Sequence, residues 1–97
     1  MGQVVFTTDA RRHFEAIFFY LEEHFSQTAA GNFVQSMHLA IQKIARYPET
    51  YPITANDPKI HFYRLDKSRR LFYEIAEAEI RVLAIFDTRQ DPAKSPY

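Results

Sequence analysis

The sequence predicts an α+β fold in the order β-α-α-β-β-β, with a helical hairpin packed on a small, mostly antiparallel sheet. Three observations predict it. Two successive stretches repeat apolar residues at helical spacing. Three later stretches are short runs of β-forming residues separated by brief polar breaks. One more β-forming run opens the chain.

The elements follow in order. Gln3 to Phe6 reads as a strand, because Val4, Val5 and Phe6 favour extended backbone. Thr7, Thr8 and Asp9 supply oxygens that can cap a helix. Ala10, Phe14, Ile17, Phe18, Leu21 and Phe25 then form one apolar stripe, which predicts a helix from Asp9 to His24 or Phe25. Ser26, Gln27 and Thr28 break the pattern. Ala30, Phe33, Met37, Ile41 and Ile44 form a second stripe, with Val34 and Ala45 at its edge. The second helix spans Thr28 to Arg46 and stops before Pro48. The short join makes the pair antiparallel. Tyr47 to Pro58, with three prolines, reads as loop. Strands are predicted over Ile60–Leu65, Leu71–Ala76 and Ile80–Phe86, and their short joins make them antiparallel neighbours. Strand one is expected beside one of these, and Arg89 to Tyr97 as a polar loop. The sheet face away from the helices is expected to stay partly open as a working surface.

Composition narrows the classes. The 97 residues suit a single domain, 1–97. Nine Phe and six Tyr are enough large side chains to fill a small core. Twelve basic and twelve acidic residues cancel, which argues against a protein that coats nucleic acid. There is no cysteine, so disulfides and thiolate metal sites are excluded. The N-terminus has no secretion-signal pattern, and no apolar run approaches the ~18 residues of a membrane span. A cytoplasmic location without membrane contact is the expectation. With only Gly2 and Gly31 there is no phosphate-binding glycine loop, and His13, His24, His38 and His61 lack metal-ligand spacing. No metal or other cofactor is expected. His13 and His24, at the edges of the first helix, read as ordinary surface residues.

The basic residues are uneven, with eight of the twelve from Lys59 onward. In the third strand, alternation puts Arg70, Phe72 and Glu74 on one face and Leu71, Tyr73 and Ile75 on the other. Packing the Leu-Tyr-Ile face on the helices leaves Arg70 on the open face, where Arg64 and Arg89 are expected to converge with it. Clustered guanidinium groups suit phosphate or carboxylate recognition. The competing expectation is that these are solvated arginines paired with Asp66, Glu74 and Asp87. Phe19 lies opposite the stripe of helix one and Leu39 lies off that of helix two. With Tyr20, they mark a candidate docking surface for a partner or second copy.

The order of elements, the segments IFFYLEEHF and AGNFVQSMHLAIQKIARYPETYP, and FYRLDKSRRLFYEIAEAEIRVLAIFDTRQDP resemble the RelE/ParE toxin superfamily across almost the whole chain. The last segment carries the recurring Arg-hydrophobic-hydrophobic-Tyr strand and the Asp-x-Arg close. The resemblance implies the toxin half of a type II toxin–antitoxin pair, of the group often called plasmid-stabilisation proteins, with a cognate antitoxin as partner. A homodimer or a toxin–antitoxin hetero-oligomer is compatible with it. It implies one of two activities. A ParE-like member inhibits DNA gyrase and has no catalytic site of its own known. A RelE-like member is a metal-independent endoribonuclease acting on messenger RNA in the ribosome. On the second pattern Arg70 and Arg89 match the family arginines, while the paired lysines fall on His61 and Tyr63. Proton transfer would fall to His61 or Tyr97. The missing lysines and the near-neutral balance favour the ParE-like reading, with Arg64, Arg70 and Arg89 as target-binding residues and Phe19, Tyr20 and Leu39 facing the antitoxin. A non-toxic remnant of the fold that only binds a partner is the third expectation.

Overall fold

A computed structural model describes residues 2–89 and 92–97. Its elements are β1 (Gln3–Phe6), α1 (Thr8–His24), α2 (Gln27–Arg46), β2 (Ile60–Arg64), β3 (Arg69–Ile75) and β4 (Glu79–Asp87), followed by a 3-10 turn at Pro92–Lys94. The order is the expected one, and the differences lie at the ends. The third strand begins at Arg69, because Arg69 and Arg70 pair with Asp87 and Phe86 before the apolar run starts. The tail read as loop contains the 3-10 turn, and its Gln90 and Asp91, like Met1, lie outside the described residues.

Both helices start where a hydroxyl meets an unpaired amide. Thr7 Oγ1 accepts from Ala10 N–H at 3.1 Å, and Ser26 Oγ accepts from Ala29 N–H at 3.0 Å. Such caps are each worth ~1 kcal/mol. Thr7 also donates through Oγ1 to the Leu83 carbonyl, so one residue starts α1 and ties it to β4. Phe25, expected on the first helical stripe, is instead the exposed C-cap residue. The helix has ended there, so the 3.6-residue period no longer aims the ring at the core.

The sheet order is β1-β4-β3-β2. β2, β3 and β4 are antiparallel neighbours, and β1 runs parallel to β4. The helices cover one face, and the main core forms between them and the sheet. It is built on Ala30, Phe33, Met37 and Ile44 from α2 and on Leu71, Tyr73, Ile80, Val82 and Ile85 from the strands.

A bulge in β4 decides which residues reach that core. Val82 pairs with Tyr73 and Ala84 with Phe72, so Leu83 is an extra residue. The bulge resets the two-residue alternation. Ile80 and Val82 face the helices before it, and Ile85 does after it.

The opposite face is partly open, as expected, with Arg64 and Arg81 exposed on it, and partly covered. Ile60, Phe72 and Ala84 are buried there in a second cluster, with Phe62, Leu83, Phe86 and Tyr97 packed around them. Tyr97 sets its ring on Phe72 of this face, 5.4 Å between centroids. Ile75, expected to pack on the helices, is 40% exposed at the end of its strand.

Candidate functional site

The structure separates the predicted residues into three places. Arg64 and Arg70 are direct cross-strand partners at the rim of the second cluster. The Arg70 guanidinium lies 4.7 Å from the centre of the Phe62 ring, a cation–π contact that holds it flat against the sheet. Among the described residues neither arginine has an ion pair. Like charges directly opposite each other in a sheet repel, so this corner is short of an anion. Of the pairings expected from the sequence, Asp87 does hold Arg89, while Asp66 holds Arg69 and Glu74 holds Arg81 instead. Tyr97 shares the face of Arg70. Burial, then the carboxylates of Glu74, Asp9 and Asp57, keep its phenol above its ordinary value. At neutral pH it is a hydrogen-bond donor rather than a base.

His61 lies on the helix-facing side. Its Nδ1 stands 2.7 Å from the Tyr51 carbonyl, so that nitrogen carries the proton and donates it. Its ring stacks on Tyr73 at 5.2 Å, and the Tyr73 hydroxyl donates to the Pro48 carbonyl at 2.6 Å. His61 thus belongs to the packing of the 47–54 loop on the sheet, on the face opposite Arg70.

Arg89 does not converge with Arg64 and Arg70 either. Its Nε and Nη2 chelate Asp87 at 3.1 and 2.7 Å. The bulge at Leu83 aims Asp87 toward α1, and the same alternation brings Arg69, its cross-strand partner, to the same side. Tyr20, Arg69, Asp87 and Arg89 line a cleft of about 460 Å³ against Ala16 and Ile17 of α1. The Arg69 side chain is only 11% exposed. Its Nη1 bonds Asp66 at 2.8 Å, and its Nε is 4.0 Å from Asp87. That Nε is buried without a hydrogen-bond partner. Sequence reading passed over Arg69 for its neighbour Arg70. The adjacent pair with opposite directions was the available signal, because one of two consecutive strand residues must face the helices.

The Arg89 hydrogen bond holds the Asp87 carboxyl below its ordinary value, against the opposing effect of burial. A carboxyl with a lowered folded value adds stability above its unfolded value and loses it as the pH falls through the folded one. Chemical denaturation from pH 6 to pH 2 is therefore expected to show a shallower acid loss in Asp87→Asn than in the wild type. Parallel acid limbs in the two proteins would refute this coupling.

The candidate docking residues are exposed: Phe19 56%, Tyr20 50% and Leu39 48%. Tyr20 turns toward the Arg89 cleft and meets the His24 ring at a tilt and the Phe25 ring edge-on, while Phe19 leans edge-on against Phe18. Leu39 lies on the outer side of α2, away from its buried stripe. His13, read from sequence as an ordinary surface residue, accepts the Ile85 N–H at Nδ1 and caps the β4 edge just past the end of β1. No group of histidines and carboxylates with metal-binding geometry occurs among the described residues, and no described helix is long and apolar enough to cross a membrane.

Comparison with known proteins adds three findings. A family model described as the ParE toxin of the type II toxin–antitoxin system, parDE, matches residues 4–92. No curated protein sequence matches. Solved structures share the fold at low identity. A chain of the chromosomal ParDE toxin–antitoxin system from P. aeruginosa has TM-score 0.76 and 16% identity, covering 90% of this chain and 96% of its own. A YoeB/ParE toxin from Agrobacterium tumefaciens has TM-score 0.66 and 13% identity, covering 88% and 96%. A chain of the E. coli DinJ–YafQ complex has TM-score 0.63 and 4% identity, covering 92% and 96%. The two-helix, four-stranded architecture is that of the RelE/ParE-like toxins.

Proposed function

The chain belongs to the ParE toxin family of type II toxin–antitoxin systems, and from that membership we propose that it arrests growth by inhibiting DNA gyrase and is neutralised by a cognate antitoxin. The observation that carries the choice of target is the dispersal of the ribonuclease candidates. Cleavage by an RNA 2′-hydroxyl needs cations and proton carriers around one phosphate. Here Arg70 and Tyr97 share one sheet face, His61 sits on the other with Nδ1 committed to Tyr51, and Arg89 is chelated by Asp87 beside α1. This spread suits surface recognition better than a reaction centre. In this reading Arg64 and Arg70 are the target-binding pair, and exposed Phe19, Tyr20 and Leu39 meet the antitoxin. A helix laid on such apolar positions is a common mode of peptide capture.

One observation favours the ribonuclease reading. Arg64 and Arg70 stand side by side with no carboxylate of the described residues on either, an arrangement that would accept a phosphate. The two readings are tested by inducing the chain without antitoxin and following thymidine and methionine incorporation in one culture. DNA synthesis is expected to stop first while translation continues. Translation stopping first would transfer the function to RNA cleavage, and growth without arrest would reduce the chain to a partner-binding remnant of the fold.

A further inference from the structure

The Arg89 cleft continues into a second hollow of about 320 Å³, and the two share Ala16, Ile17 and Asp87. Together they form one groove between α1 and the far end of β4, lined also by Lys94 and Pro96. The groove exists because β1 pairs with β4 only through Val82, while β4 continues to Asp87. Its floor is aliphatic: Ala16 and Ile17 from the helix, and Ile85 from the strand.

Its polar groups are nearly all donors. Arg69 Nε is buried with no acceptor. Arg89 spends Nε and Nη2 on Asp87, which leaves Nη1. The Tyr20 hydroxyl and Lys94 have no partner among the described residues. His13 accepts at Nδ1, so its proton is on Nε2. The carboxylates near the groove, Asp66 and Asp87, are already held by Arg69 and Arg89. Three cations, Arg69, Arg89 and Lys94, then stand against two carboxylates.

We infer that this groove is a docking channel for an acidic protein segment, with one carboxylate seated between the Tyr20 hydroxyl and Nη1 of Arg89. Spaced carboxylates between apolar residues match the donors and the aliphatic floor. A polyphosphate backbone fits less well, because every unit is charged and Asp87 sits in its path. The inference is independent of whether the toxin acts on gyrase or on RNA.

The test uses the full chain and a fluorescein-labelled Ac-(Glu-Val)4-amide probe, followed by anisotropy. A matched (Gln-Val)4 peptide and an eight-nucleotide uridine RNA are the comparisons. The acidic peptide is expected to bind at least about tenfold more tightly than the glutamine peptide, and to weaken at higher salt. Arg89→Gln with Lys94→Gln is expected to cost at least about tenfold in affinity, and Arg12→Gln on the exposed side of α1 less than about twofold. Both groove side chains reach solvent, so the double variant should fold. In the wild type, saturation with the peptide should shift the Arg89 Nε–H resonance. Equal binding of the two peptides would overturn the proposal. So would loss of binding on Arg70→Gln instead of on the groove variant, an unmoved Arg89 resonance, or RNA held in the groove more tightly than the peptide.

Discussion

Tyr73→Ala is expected to lower stability by about 3–5 kcal/mol, the range for removing a large buried ring. In a domain this small that is a large part of the total, and the variant should be mostly unfolded at 37 °C. Tyr73 is fully buried at the centre of β3, against the core of both helices. Its hydroxyl donates to the Pro48 carbonyl, and its ring carries His61. It therefore joins the sheet to the loop that follows α2. Tyr73→Phe separates the two contributions. Keeping the ring and losing the hydrogen bond should cost about 1–2 kcal/mol and loosen the 47–54 loop, which amide exchange at Thr54 and Phe62 would report. Burial, with a smaller contribution from Tyr51, raises the Tyr73 phenol far above its ordinary value of 10.0. A raised folded value adds stability that is present below the unfolded value and lost above it. Alkaline denaturation should therefore begin near pH 10 in the wild type and be blunted in Tyr73→Phe. A Tyr73→Ala protein with near wild-type unfolding midpoint in urea would contradict this account of the core.

The second large effect is expected at the unpaired arginines. On the proposed gyrase reading, Arg64→Gln with Arg70→Gln should raise the concentration needed to inhibit supercoiling at least about tenfold, since losing a buried-interface arginine commonly costs ~2 kcal/mol. Removing both should leave the fold intact or steadier, because the variant also removes a like-charge cross-strand contact. Arg11→Gln with Arg12→Gln removes the same charge from an exposed part of α1 and separates a local effect from net charge. Equal losses in both double variants would mean that only overall charge matters. Undiminished inhibition with Arg64 and Arg70 gone would move the target-binding surface elsewhere on the molecule.

Much of this was legible in the sequence, and residue by residue the reasons differ. The stripes from Ala10 to Leu21 and from Ala30 to Ile44 are local patterns, so both helices could be placed to within a residue or so. Thr7 and Ser26 carry their capping role in their chemistry. The family resemblance rested on the order and spacing of these pieces, which is why it survived although solved structures share so little identity. The site was less legible. Arg70 was placed on the correct face from alternation within one strand, and its neighbour Arg64 followed from the hairpin. Arg89 was not, because its direction depends on a bulge in β4 that no local pattern announces.

By itself, then, the sequence determined the elements, their order, the buried face of each helix and the exposure of Phe19 and Leu39, because each depends on side chains a few positions apart. Only the tertiary structure decided how those pieces share space. The extra residue at Leu83 turned Asp87 and Arg69 toward α1 and drew Arg89 after them. The short β1 left the far end of β4 to His13. The Tyr97 ring came to rest on Phe72 and covered part of the face expected to stay partly open. These are contacts between residues far apart in the chain, fixed by register, strand length and packing volume, and no periodicity encodes them.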